Sequence, residues 1–186
     1  MIKTLRISNA TYFVAVGITL LSNKLGWFTL HPFLMCITWI CASEGVASFS
    51  LPRAGIKRHM PFMFASYLIA LLGFAVIYLV KESNGKAHFV TTHGYYGAIS
   101  AAMLVMMGFG TGMAKNVFNL KSRLYWRIHR LGGVSLMLGV WTVSYLHMGT
   151  PTGWFTRNAD PSYSFGGLIS FGLAGLSCLV VMILSK

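Results

Sequence analysis

The sequence contains few charged residues and almost no acidic ones. Charged residues make up 10% of its 186 residues, and the acidic ones are only Glu44, Glu82 and Asp160. Soluble domains carry about 25% charged residues. Because 55% of the chain is hydrophobic, the composition excludes an ordinary soluble domain and predicts a membrane protein with little mass outside the bilayer.

Cysteine is scarce as well, and its positions argue against disulfides. Cys36, Cys41 and Cys178 all fall inside long apolar runs, where cysteine behaves as a small buried hydrophobic residue. We expect neither disulfides nor metal ligation from them. A signal peptide is not expected either, because the first apolar run ends at residues 22–24 without a clear small-residue cleavage site.

Six apolar runs are long enough to cross a membrane. A spanning helix needs about 20 mostly apolar residues, and in lipid the backbone must satisfy its hydrogen bonds internally. We therefore predict an all-α polytopic membrane protein, a six-helix transmembrane bundle that forms one domain over residues 1–186. The predicted spans are about 8–28, 32–50, 59–80, 93–114, 129–148 and 164–185.

The net charge of +12 is distributed in a way that indicates topology. If the N-terminus is cytoplasmic, six spans place every lysine and arginine except Lys24, Lys81, Lys86 and Arg157 on the cytoplasmic side. Short loops of membrane proteins show this bias. We therefore predict cytoplasmic N- and C-termini and no nucleic-acid partner, with the basic excess also attracting anionic lipid or a small anion.

Four successive apolar runs each begin with a histidine, at His31, His59, His93 and His129. Ligating side chains at membrane depth are costly and therefore indicate function, and histidine is the usual axial ligand of haem iron. Successive spans run in opposite directions, so His31 shares the outer leaflet with His93, and His59 shares the cytoplasmic leaflet with His129. Each pair is predicted to ligate one b-type haem between facing helices, the alternative for a lone histidine being an interhelical hydrogen bond.

Small residues recur on the histidine faces of the predicted helices. Gly45 follows His31 by fourteen residues, and Gly73 follows His59 by the same number, which is about 21 Å along a helix. Each glycine is therefore expected near the depth of the opposite histidine pair. There it would either leave room for a flat macrocycle or let two helices pack closely.

Parts of the second to fifth spans resemble a known family, the cytochromes b561. These are ascorbate-dependent, six-helix, two-haem electron carriers of eukaryotic membranes, and the chain is most similar to the short members that consist of the core domain alone. The stretches that carry the resemblance are His31-Pro-Phe-Leu-Met with Glu44 further along, Lys86-Ala-His-Phe leading to His93-Gly94, and His129 with the glycines after it.

The resemblance implies an ascorbate-dependent transmembrane oxidoreductase with two haem b groups. It implies the ligand pairs His31 with His93 and His59 with His129, and no catalytic residues beyond these ligands. Ascorbate would be the cytoplasmic donor, and monodehydroascorbate or a ferric chelate the acceptor on the other side. We expect the membrane of the endoplasmic reticulum or of a vesicle rather than the plasma membrane, and a homodimer is compatible with the family.

Candidate substrate-binding residues lie on both sides of the membrane. Ascorbate and its radical are anions near neutral pH, so basic residues beside the histidine pairs could dock them. On the cytoplasmic side these are Arg53 and Lys57, which are also ordinary positive-inside anchors. On the outer side Lys86, His88 and Phe89 resemble the stretch that binds the acceptor in the family, the alternative for His88 being a solvated loop histidine.

Two further residues keep more than one interpretation. Glu44 lies inside a predicted span, where a carboxylate should be neutral, paired or hydrated. It could contact a haem propionate, serve a proton path or form an interhelical hydrogen bond. His147 follows His129 by 18 residues and is expected at the outer leaflet, either as an interfacial side chain or beside a propionate.

Two other functions would use the same histidines. A di-haem quinol oxidoreductase would add a lipid-facing quinone pocket, whereas the basic residues Arg53 and Lys57 suit an anion better. A divalent-metal transporter would mix carboxylates with histidine at one depth, and only Glu44 is available for that. The sequence therefore favours an ascorbate-dependent electron carrier over both.

Overall fold

The computed structural model describes residues 2–22, 26–50, 55–116, 123–149 and 161–184. These residues form six helices and no strand, so the prediction of an all-α protein is confirmed. The helices are α1 (Ile2–Leu21), α2 (Trp27–Ala47), α3 (Gly55–Ser83), α4 (Thr92–Asn116), α5 (Arg123–Gly149) and α6 (Pro161–Leu184), with a 3-10 turn at Ser48–Ser50 after α2.

The hydrophobic core lies mainly between α1, α2 and α6. Phe171 of α6 is at its centre, with ring centroids 4.7 Å from Tyr12 and 5.1 Å from Trp39. Cys36 and Cys178 are buried in this core as free thiols, as the sequence predicts. The four histidines belong to α2 to α5. Helices α1 and α6 pack against one side of this group.

Three of the described helices, α1, α2 and α3, are long and apolar enough to cross a membrane, and residues Gly167–Ile183 of α6 form a shorter apolar helix. Only 11% of the apolar window of α3 is buried, so most of that apolar surface faces outward, as in a helix that contacts lipid. These helices support a membrane protein, while spanning by the remaining helices stays a prediction.

The boundary between the first two helices differs from the prediction. The first span was expected over 8–28, but Trp27 and Phe28 already belong to α2. Gly26 has extended backbone torsions and caps α2, and its carbonyl accepts the N–H of Thr29 at 2.9 Å. The apolar run thus continues across a helix boundary, because hydropathy does not register a change of chain direction.

Helices α2 and α3 are antiparallel and pack closely at two glycines. A Cβ atom at Gly45 would lie 3.2 Å from Phe62 Cβ and 3.0 Å from Met63 Sδ, and one at Gly73 would lie 3.3 Å from Leu34 Cβ. Small residues allow this approach between membrane helices. Of the two roles weighed for these glycines, the structure favours close packing over open room for a macrocycle.

Candidate haem-binding and substrate sites

The first histidine pair joins α2 to α4. The ring centroids of His31 and His93 lie 6.4 Å apart, with the ring planes at 82°. His31 Nδ1 is 2.9 Å from the carbonyl oxygen of Gly73 on α3. Because a carbonyl oxygen only accepts hydrogen bonds, Nδ1 carries the hydrogen and Nε2 keeps its lone pair, which leaves Nε2 as the nitrogen that can bind a metal.

The second pair joins α3 to α5 with nearly the same geometry. The ring centroids of His59 and His129 are 6.3 Å apart and the planes are at 86°. His59 Nδ1 lies 3.1 Å from the carbonyl oxygen of Gly45 on α2, so this ring also donates from Nδ1. Both glycines therefore lie at the depth of the opposite pair, as their spacing from the histidines predicts.

The two pairs fit the chemistry of haem iron. Imidazoles that bind one metal from opposite sides, each through a bond of about 2 Å, have ring centroids roughly 6 Å apart. Among the described residues no group of three or more histidine, cysteine or acidic side chains could hold a metal ion. Two imidazoles alone suit an iron whose remaining ligands come from a porphyrin. A Cβ at Gly97, one turn after His93, would meet no described atom within 4 Å, which leaves space beside the first pair.

Aromatic rings surround the second pair. The Phe49 ring centroid lies 4.7 Å from that of His59, and the rings of Tyr125 and Trp126 lie 6.4 and 6.1 Å from that of His129. Phe49 follows His31 by 18 residues, which returns to roughly the same helix face, but this spacing alone does not predict its contact with the His59 ring. The contact arises because the C-terminal end of α2 lies next to the N-terminal end of α3.

The basic residues near the second pair have different environments. Lys57 and Arg58 are both exposed, but the Arg58 guanidinium lies 5.7 Å from the centre of the Phe62 ring. Arg130 Nη2 donates to the carbonyl oxygens of Met182 and Ile183 at the end of α6. Of these cations, Lys57 is therefore the best placed to meet a soluble anion. Arg53, the other predicted docking residue, lies outside the described residues.

The loop after α3 contains all three predicted acceptor-binding residues. Gly85 has φ +60, and the Lys86 N–H donates to the Lys81 carbonyl at 2.9 Å, which is the turn that commonly ends a helix at glycine. The chain therefore folds back over the end of α3, with Lys86 exposed and His88 and Phe89 beside that helix.

His88 and Phe89 stack on two rings of α3. The His88 ring lies 4.2 Å from the Tyr78 ring with the planes at 16°, and Phe89 stacks on Phe74 at 6.3 Å. His88 Nε2 is also 3.0 Å from Glu82 Oε2. The His88 side chain is thus fixed by its neighbours and is not freely solvated. No pattern in the sequence predicts Tyr78, Phe74 and Glu82 as the residues around it.

The two residues whose roles were open have different outcomes. Glu44 forms an ion pair with Arg6 of α1, so of the interpretations weighed, an interhelical contact is the one that the structure contains. The side chain of His147 lies outside the described part of the chain, and its predicted interfacial position stays a prediction.

Comparison with known proteins gives one family. The sequence model of the eukaryotic cytochrome b561 family matches residues 30–156, a range that contains all four histidines. The human protein named transmembrane reductase CYB561D2 is 29% identical over 172 residues, and the match covers 78% of each chain. The proteins of that name from Bos taurus and Mus musculus are 29% and 28% identical with the same coverage.

Proposed function

The chain belongs to the eukaryotic cytochrome b561 family, and on that premise we propose that it transfers electrons from cytoplasmic ascorbate to an acceptor on the opposite side of the membrane. Membership supports haem b binding and transmembrane electron transfer. The proposal adds the number of haems, the ligands, the donor and the acceptor. The observation that carries it is the near-identical geometry of the two histidine pairs, 6.4 and 6.3 Å between ring centroids.

The histidines would hold two haem b groups. His31 and His93 would hold one and His59 and His129 the other, with His31 and His59 binding through Nε2. When bound, haem b supplies a one-electron carrier at each side of the bilayer. The protein fixes the rings of His31 and His59 by hydrogen bonds from Nδ1 to backbone carbonyls, and such bonds orient a ligand and raise its basicity.

The cytoplasmic docking site for ascorbate would include Lys57 and Arg53. Lys57 is exposed and lies in the first turn of α3, two residues before His59, so an anion paired with its ammonium group would be held at the same end of α3 as that histidine pair. The neighbouring Arg58 and the nearby Arg130 have intramolecular partners. This difference supports Lys57 as the docking cation. Arg58 or Arg130 would have to give up its present contact to bind an anion, and this would lower the net binding free energy.

The acceptor would dock on the other side, at Lys86, His88 and Phe89. Lys86 supplies an exposed positive charge, and the stacked rings of His88 and Phe89 supply a held surface. The Phe89 backbone lies close to Gly94, the residue after His93. Monodehydroascorbate and ferric chelates are the acceptor classes that suit a basic, aromatic site next to a haem-binding histidine.

The absorption spectrum of the purified protein tests this function. Two haems per chain are expected, with a low-spin b-type spectrum that ascorbate reduces faster than a quinol does. Faster reduction by quinol would favour the di-haem quinol oxidoreductase instead. A folded, colourless protein from haem-replete cells would overturn the proposal.

The proposed topology has cytoplasmic termini, with Lys57 on the cytoplasmic side and Lys86 on the opposite one, in the endoplasmic reticulum or a vesicle membrane. Single variants Lys57→Cys and Lys86→Cys can test it with an impermeant thiol reagent on sealed vesicles. Labelling of only one of the two is expected, and its identity gives the orientation. Labelling of both from the same side would contradict the topology. The three native cysteines are buried or half-buried and provide the background.

A further inference from the structure

The histidines of α2 and α3 are held crosswise. Gly73 is on the helix of His59, yet its carbonyl accepts the hydrogen bond of His31 on the neighbouring helix. Gly45 is on the helix of His31, and its carbonyl accepts the hydrogen bond of His59. Gly73 therefore contacts the pair of His31 and His93, and Gly45 contacts the pair of His59 and His129. In each case this is the pair that does not include the histidine of the glycine's own helix.

We propose that Gly45 and Gly73 are positioning residues of the two haem sites, each tuning the haem held by the histidine of the neighbouring helix. This inference rests on the proposed function, since it takes His31 and His59 to be haem ligands. The carbonyl fixes the protonation of Nδ1 and the rotation of the ring. It also raises the basicity of the ligating nitrogen, and a more basic ligand favours ferric over ferrous iron.

The hydrogen bonds require glycine because α2 and α3 are so close. A Cβ at Gly45 would lie 3.0 Å from Met63 Sδ and 3.2 Å from Phe62 Cβ. A Cβ at Gly73 would lie 3.3 Å from Leu34 Cβ and would collide with the methyl group of Met35. The Cβ atoms of Phe62 and Leu34 are fixed to their helix backbones and cannot move independently of them. A side chain at either glycine would therefore push α2 and α3 apart and lengthen the nearby hydrogen bond.

The consequence is a crossed redox signature. Gly73→Ala should shift the midpoint potential of the haem on His31 and His93 to a more positive value, because a weaker hydrogen bond leaves a less basic ligand. Gly45→Ala should do the same to the haem on His59 and His129. In each variant the other haem should keep its potential. A merely structural role would shift both haems or neither.

The experiment uses the full chain in detergent, with one haem removed so that each potential is assigned. In a His129→Ala background only the haem on His31 and His93 is expected to remain, and in a His31→Ala background only the haem on the other pair. Redox titration followed by visible absorption and electron paramagnetic resonance gives the potential and the low-spin signal. Valine at each glycine should shift the same haem further than alanine, or release it.

Matched controls are Gly17→Ala in α1 and Gly139→Ala in α5. A Cβ at either position would meet no described atom within 4 Å, so neither variant should move a potential. Suppose that wild-type protein binds both haems. The inference is then overturned if the alanine and valine variants leave the potential of the haem on the neighbouring helix's histidine unchanged, or if they shift the potential of the haem on their own helix's histidine. In that event the proposed function stands. A wild-type protein without haem overturns both.

Discussion

Arg6 and Glu44 are joined by three side-chain hydrogen bonds, two of them shorter than 3 Å, that link α1 to α2. Arg6 Nε lies 2.9 Å from Glu44 Oε1, and Arg6 Nη2 lies 2.8 Å from Glu44 Oε2. The Glu44 side chain is 14% exposed and that of Arg6 is 45% exposed. The carboxylate is therefore mostly buried and depends on its partner, whereas the guanidinium can still reach solvent or lipid headgroups.

Arg6→Ala is expected to destabilise the protein more than Glu44→Gln does. The first change leaves a mostly buried carboxylate without its cation, at a cost of about 1–2 kcal/mol after allowance for the exposure of Arg6. Thermal unfolding in detergent measures the difference, with Lys3→Ala as the control for lost positive charge on α1. Haem content should not change in either variant, and haem loss in Glu44→Gln would indicate a cofactor contact instead.

His59→Ala should remove one haem of two and abolish rapid reduction by ascorbate. The remaining haem, on His31 and His93, should keep its bis-histidine spectrum. Its two ligands belong to α2 and α4 and lie near the other end of α3. Haem quantification per chain and the reduced-minus-oxidised spectrum test this. Unchanged haem content would remove His59 as a ligand.

Lys57→Ala should raise the KM for ascorbate roughly two- to fivefold, as expected for loss of one exposed ion pair. The effect should shrink as salt is added, since exposed charges are screened. Arg58→Ala is the control, because its guanidinium lies over the Phe62 ring and its loss should leave the KM nearly unchanged. An equal change in both variants would point to general surface charge rather than to a docking site.

His88→Ala should slow electron delivery to the outer acceptor by about tenfold, the value of one strong hydrogen bond. Reduction of the haems by ascorbate should be unaffected, so they should accumulate in the reduced form. Stopped-flow measurements with a ferric chelate separate the two steps. Val90→Ala alters the same loop at an exposed side chain and should change neither rate. A normal rate in His88→Ala would place the acceptor elsewhere.

Features that depend only on the order and period of the helices can be predicted from the sequence, whereas contacts that depend on helix rotation cannot. The all-α fold and the proximity of His31 to His93 follow from apolar runs and their alternating direction. The pairing of Glu44 with Arg6 depends on how α1 is turned against α2, which no period in the sequence specifies.

The loop after α3 shows the same limit. His88 could be placed in the loop from its distance to His93, but its stacking on Tyr78 requires the chain to turn back at Gly85 with a positive φ. Likewise, the spacing of Gly73 from His59 predicted its depth. It did not predict that the carbonyl would face His31, because that depends on the separation of α2 and α3.

The fourteen-residue interval occurs in both α2 and α3, from His31 to Gly45 and from His59 to Gly73. These two helix segments and the two crosswise hydrogen bonds from the histidine side chains form a closed rectangle, whose long sides are α2 and α3. A single-residue insertion within either side would rotate one end of that helix by about 100° relative to its other end, so the two hydrogen bonds could not form together. The length of this rectangle can therefore change only if α2 and α3 gain equal numbers of residues close to whole turns, so the separation of the two histidine pairs is set by both helices jointly.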